Sequence, residues 1–181
     1  MSGPPVSGRP RRAHLRWLRA FALSGTGVAL AGCASAPLRL IEPNDFVQPT
    51  PDAGLFRLSE TRSMASAWQA ILAGDVKDAL GRLGKLHAIR PSAAAPQTAL
   101  GYAHVRAGDL ERAEAAFLAV LARHPRYVPA LAGAGLVFRR RGDAETAVEL
   151  LRRAVEAGGP ATPAVVRRRL GEAKLEVAEK H

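Results

Sequence analysis

Leu100 to Pro125 reads LGYAHVRAGDLERAEAAFLAVLARHP. Helix formers run up to Gly108, break at a Gly-Asp step and resume until a proline. A glycine after such a run can take the left-handed conformation that ends a helix. The aspartate that follows is a good N-cap, its carboxylate meeting free N–H groups and the positive end of the helix dipole. The stretch therefore predicts two antiparallel helices joined by a tight turn. Small residues at Gly101 and Ala113 let the pair approach, Phe117 supplies bulk between them, and Pro125 blocks further helix.

Working outward, the Gly-Asp step recurs at Gly74-Asp75 and Gly142-Asp143, 34 residues to either side. The agreement extends beyond the dipeptide. Ala79, Ala113 and Ala147 share one phase; Leu83, Phe117 and Leu151 another; Ala67, Gly101 and Gly135 a third. Pro91 and Pro125 coincide, where the third copy has Gly159-Pro160. A fixed period of this length marks a stacked array whose units bury their faces on one another.

Leu100-Gly101, then Ala113-x-x-x-Phe117, then Pro125, resembles the signature of the tetratricopeptide repeat family, a helix–turn–helix unit of 34 residues. The sequence departs from the pattern at the usual Trp (Ser63, Gln97, Leu131) and at the usual Tyr (Ala70, His104, Phe138), which are packing positions. The resemblance implies an all-α fold, an α-solenoid of three repeats (60–93, 94–127 and 128–161) followed by a capping helix over 162–181. In that last helix Val166, Leu170, Ala173 and Val177 share one face, with Arg167, Arg168, Glu172, Lys174 and Glu179 on the other. Leu170-Gly171 echoes Leu100-Gly101 with a two-residue slip, which predicts half of a fourth repeat acting as cap. Gly171 inside a helix costs about 1 kcal/mol relative to Ala, and close packing on the preceding helix is the expected reason for it.

Residues 1–32 hold five arginines and no acid, with an apolar run from Ala20 to Ala31. A basic region, a short apolar region and small residues at its end make a secretory signal. The run is shorter than the ~20 residues of a membrane span. Leu30-Ala31-Gly32-Cys33 resembles the lipobox of bacterial lipoproteins, which implies cleavage between Gly32 and Cys33 and diacylglyceryl transfer to the Cys33 thiol. Two or more acyl chains give stable anchoring where one does not. Arg11-Arg12-Ala13-His14-Leu15-Arg16 partly resembles a twin-arginine signal. Ala34, in place of the aspartate that marks inner-membrane retention in enteric lipoproteins, points to the outer membrane and a periplasm-facing protein. Residues 33–58, with Pro37, Pro43, Pro49 and Pro51, read as a tether. Fully extended at about 3.1 Å per residue, it would reach roughly 75 Å. Leu55 and Phe56 are its expected docking point on the first repeat.

The formal charge of +10 falls to about +5 once the five arginines of the leader are removed. That balance, with no stacking aromatics in a nucleic-acid motif, argues against nucleic acid as a partner. His14, His87, His104, His124 and His181 have no metal-ligand spacing, Cys33 is the lone cysteine, and no nucleophile–base pair or phosphate-cradling loop is present. No metal, cofactor, small-molecule substrate or enzymatic activity is expected.

In the resembled family the first helix of each pair lines a concave groove. The corresponding positions here are Trp68, Tyr102 and Leu136, then Leu72, Arg106 and Arg140. Apolar side chains beside two guanidiniums suit an extended or helical peptide with apolar anchors and an acidic group; the other reading is that Trp68 and Leu136 fill the gaps left by the absent consensus Trp. Asn is absent from the Trp68 and Tyr102 positions, so the resemblance implies no chaperone-type carboxylate clamp. Arg139, Arg140, Arg141, Arg152, Arg153, Arg167, Arg168 and Arg169 form a second candidate feature. Such runs are usually a solvated face paired with acids such as Glu145, Glu149 and Glu172; the sharper reading is a patch for acidic headgroups or an acidic partner. The expected function is a lipid-anchored protein–protein adaptor in cell-envelope assembly or secretion, the alternative an accessory subunit recruiting a cell-wall or glycan-export enzyme.

Overall fold

Seven helices follow one another in a computed structural model that describes residues 43–51 and 54–180. They are α1 (Leu58–Ala73), α2 (Val76–Ile89), α3 (Ala94–Ala107), α4 (Leu110–Arg123), α5 (Val128–Arg140), α6 (Ala144–Gly158) and α7 (Ala164–Ala178). Each packs on its chain neighbours, and α1, α3, α5 and α7 also meet along one side. This is an α-solenoid of helix pairs, and no strand occurs among the described residues. The signal segment and Cys33 lie outside them.

The three Gly-Asp steps have the geometry their chemistry dictates. Gly74, Gly108 and Gly142 are left-handed, with φ of 86°, 80° and 84°. Asp75, Asp109 and Asp143 cap the next helix by accepting from the backbone N–H of Asp78, Arg112 and Thr146 at 3.0–3.1 Å. The repeating small residues sit where bulk from the second helix enters. A Cβ on Gly101 would fall 2.7 Å from the Phe117 ring, and one on Gly135 would fall 2.8 Å from Leu151 Cγ. Ala79, Leu83, Ala113, Phe117, Ala147 and Leu151 are fully buried.

The last helix corrects the two-residue slip. Its buried residues are Val166, Arg169 and Ala173. Val166 continues the 34-residue series Met64, Thr98, Ala132, and Arg169 continues Ala67, Gly101, Gly135. The helix thus carries the repeat on in phase, as the first helix of a further unit. Gly171 is consequently not the counterpart of Gly101; it is exposed, and a Cβ there would meet nothing within 4 Å. Close packing does not explain it. Gly171→Ala is expected to stabilise the protein by about 0.5–1 kcal/mol through helix propensity and a less flexible unfolded chain. Thermal unfolding should show a rise of about 2–5 °C; an unchanged or lower midpoint would mean that α7 needs the glycine.

Three acids stabilise the fold only while ionised. Glu60 accepts from the Arg57 N–H at 2.9 Å and from Arg90 Nε at 3.0 Å, and these contacts lower its pKa from the ordinary 4.5. The Thr146 hydrogen bonds hold Asp143 below its ordinary 3.8, and Arg152 does the same for Glu149. A depressed native pKa adds stability above the unfolded value and loses it as pH falls through the folded one. Urea midpoints should therefore be flat above about pH 5 and fall steadily from about pH 4.5 downward. In Glu60→Gln the fall should be shallower.

Candidate functional site

Trp68 on α1, Tyr102 on α3 and Leu136 on α5 line one wall of the inner face, each stepped by one repeat. All three are covered. Trp68 is 4% exposed, Tyr102 0% and Leu136 4%. The cover is the chain's own N-terminal segment. A 3-10 turn at Pro43–Asp45 leads into Phe46, Val47 and Pro49, all buried, while Asn44, Gln48 and Thr50 are exposed.

Phe46 is the central contact. Its ring lies 5.0 Å from Tyr102 and 6.2 Å, edge-on, from Trp68. Trp68 and Tyr102 meet edge-on at 5.6 Å, and Tyr102 meets Phe117 at 5.1 Å. Four rings thus run from the groove into the core, each pair worth about 0.5–1.5 kcal/mol beyond its buried area. Tyr102 Oη donates to the Pro129 carbonyl at 2.9 Å and is hydrogen-bonded to the Val47 backbone. Burial pushes its phenol up to about 12, so it stays neutral. Burying Phe46 and Val47 stabilises the docked segment by about 1.5–3 kcal/mol each before ordering costs.

Asp45 adds charge at the C-terminal end of the groove. Its Oδ1 is 2.9 Å from Arg168 and 3.8 Å from Arg169, and its field also reaches Arg140. Arg169 is 1% exposed, with Nη1 3.4 Å from the Ala132 carbonyl and Nη2 without a hydrogen-bond partner. Burial pushes the Arg140 and Arg169 pKa values down, and Asp45 opposes that shift at both. Leu72 and Arg106 are half-buried, and the Arg106 guanidinium lies beside the Gly74 turn.

The expected docking point is met in part. Leu55 is 54% exposed, while Phe56 is half-buried beneath the Arg90 guanidinium of the first repeat, 5.5 Å from the ring centroid. Phe46 and Val47 seat the segment more deeply, because the ring ladder offers them an apolar surface flanked by arginines. The signal in the sequence is the acid–aromatic–aliphatic order at Asp45-Phe46-Val47.

The eight arginines do not form one open patch. Arg139 pairs with Glu172 and Glu176, Arg141 with Glu111 and Glu114, and Arg152 with Glu149 and Glu156. Arg153 donates to the Pro125 carbonyl, and Arg168 and Arg169 face Asp45. Most are spent on links between neighbouring helices and on the docked segment. His104 is half-buried and burial lowers its pKa, as for a packing histidine. Among the described residues, no group of three or more His, Cys, Asp or Glu could hold a metal, and no helix is long and apolar enough to cross a membrane.

Residues 98–162 match a family model described as tetratricopeptide repeat. A comparison with curated proteins finds no match to the sequence. The fold is similar to the Sgt2 TPR domain from Aspergillus fumigatus, with a TM-score of 0.64, 18% identity, and 68% of this chain and 82% of that one covered. It is also similar to the first TPR of Spaghetti (RPAP3) bound to the HSP90 peptide SRMEEVD, at TM-score 0.58 and 16% identity, over 66% of this chain and 93% of that one. The NMR structure of the first TPR domain of human RPAP3 gives 0.60 and 16%, over 67% and 94%. Residues 98–162 thus match the tetratricopeptide repeat model, and the helices from Leu58 to Ala178 have the solenoid fold of such domains.

Proposed function

We propose that the protein is a non-enzymatic, lipid-anchored adaptor that faces the periplasm from the outer membrane and holds a peptide segment of an envelope-assembly or secretion component in its inner groove. One observation carries the groove part of this reading: the inner face holds an acid-bearing segment against the Trp68 and Tyr102 rings, with two arginines beside the acid. The RPAP3 domain of similar fold, bound to an HSP90 peptide, supports the reading that such a solenoid takes a peptide partner. The anchor part rests on the sequence around Cys33. A photoreactive residue at Leu72 or Arg106, both half-buried at the groove, should crosslink in cells to an envelope component. Crosslinks confined to this chain would count against the adaptor role.

The anchor has its own test. Mature protein from the native host should begin at Cys33 and carry the mass of a diacylglyceryl group with a further acyl chain. Cys33→Ser should move the protein from the membrane to the soluble fraction. A mature chain starting at any other residue removes the anchor.

A further inference from the structure

Residues 44–50 lie in the groove as a ligand would. From Val47 onward, buried and exposed side chains alternate: Val47 in, Gln48 out, Pro49 in, Thr50 out. Residues 47–50 thus alternate as an extended peptide does, while Asp45 closes the 3-10 turn and Phe46 is buried beside Val47. Among the described residues, no backbone–backbone hydrogen bond ties 43–51 to the helices. The segment is held through side chains: Phe46 and Val47 on the rings, Asp45 on Arg168 and Arg169, the Tyr102 hydroxyl on the Val47 backbone, and a long Tyr127 Oη bond of 3.4 Å to the Thr50 carbonyl. Few backbone bonds and exposed polar ends place it at the low-stability end of the structure, where local release occurs without global unfolding.

The charges in the groove outlast the segment. Asp45 faces Arg168 and Arg169 and lies within the field of Arg140, while the Arg169 Nη2, fully buried, finds no hydrogen-bond partner. Release of the segment would leave Arg169 with the Ala132 carbonyl and Arg168 with Glu172, and would remove the Asp45 carboxylate from both. A carboxylate is the complementary group, and an aromatic ring is what packs against the Trp68 and Tyr102 pair.

We propose that Asp45-Phe46-Val47 is a resident ligand, and that the partner is a peptide presenting a carboxylate, an aromatic ring and a β-branched aliphatic residue in that order, which binds by displacing residues 44–50. The inference rests on the reading of the groove as a peptide site and adds its recognition rule. It also makes the resident segment a competitor, so apparent partner affinity falls by the fraction of time the groove is open.

The test uses the full chain and a fluorescein-labelled peptide of residues 43–51, PNDFVQPTP. Phe46→Asp with Val47→Asp removes the resident anchors and leaves every groove side chain intact. By fluorescence anisotropy the labelled peptide should bind this variant at least tenfold more tightly than it binds the wild type. Replacing its Phe by Ala, or its Asp by Lys, should cost at least tenfold, and a scrambled peptide should not bind. Equal binding to both proteins, or no preference over the scrambled peptide, overturns the proposal. If the double variant loses its helical circular dichroism, the wild type provides the reading. Excess unlabelled peptide should speed amide hydrogen exchange at 44–50 while α3 and α5 stay protected, and unchanged exchange overturns the proposal. An envelope partner crosslinked at Leu72 or Arg106 that PNDFVQPTP cannot compete would sink the recognition rule and leave the adaptor role standing. Competent peptide exchange without any crosslinked partner would do the reverse.

Discussion

Phe117→Ala should lower the free energy of unfolding by about 3–5 kcal/mol, the range for deleting a fully enclosed aromatic side chain. Phe117 is 0% exposed and is the wedge of the array. Its ring presses on Gly101 of α3 and Gly133 of α5, and Tyr102 stacks edge-on against it at 5.1 Å. It therefore joins the second repeat to the third and supports the groove ladder from behind. Small domains have only about 5–15 kcal/mol in total. Stability in a solenoid is a sum of repeat and interface terms, so loss of this interface should also broaden the urea transition or split it in two. Circular dichroism with tryptophan emission would show both effects. A loss below about 1 kcal/mol would mean that the ring is not the element joining the repeats.

Gly133→Ala tests the same contact from the opposite side. An alanine in mid-helix gains about 1 kcal/mol over glycine in propensity. Here the added Cβ would sit 2.4 Å from Phe117 Cε1 and Cζ, and the same ring atoms also press on Gly101. With the ring fully buried and held by both glycines, overpacking costs of about 1–3 kcal/mol should outweigh the gain. The expected outcome is a net loss of about 1–2 kcal/mol. Phe117→Leu in the same chain should recover part of it, with a coupling energy of at least about 0.5 kcal/mol in the double-mutant cycle. Strict additivity would refute the steric account. The contrast with Gly171→Ala is the sharper check: the same substitution in the same kind of helix should change sign, because one site is closed and the other is open.

The legible part of the fold was the part set by local chemistry. The left-handed glycines, the aspartate caps and the Ala–Phe/Leu pairing act within one helix pair, so their residue types and spacing appear directly in the sequence. Gly133 escaped notice because it belongs to a different phase, with Ala65 and Ala99, and only under Phe117 does that phase demand a residue without a side chain. Gly171 misled for the converse reason. A Leu-Gly pair looks the same whether or not another helix lies against it.

The period by itself put Trp68, Tyr102 and Leu136 in one column and Leu72, Arg106 and Arg140 in another. What covers that column has no period. Asp45-Phe46-Val47 occurs once, in a proline-rich stretch where several apolar residues could have docked equally well on composition alone. The choice of Phe46 over Leu55 came from the tertiary arrangement of the Trp68 and Tyr102 rings and of two arginines from α7, which lies more than 120 residues away along the chain (Asp45 and Arg168 are separated by 123). The burial of Arg169 was settled the same way, by carbonyls and rings on other helices.

Short-range, repeated constraints of backbone conformation and helix pairing are thus written in the amino-acid order of this protein. Which segment fills the groove, which glycines are crowded and which arginines stay open depend on surfaces that exist only once the helices have stacked. Contacts between distant residues are selected by shape and field after folding, and neither quantity is carried by any one stretch of the chain.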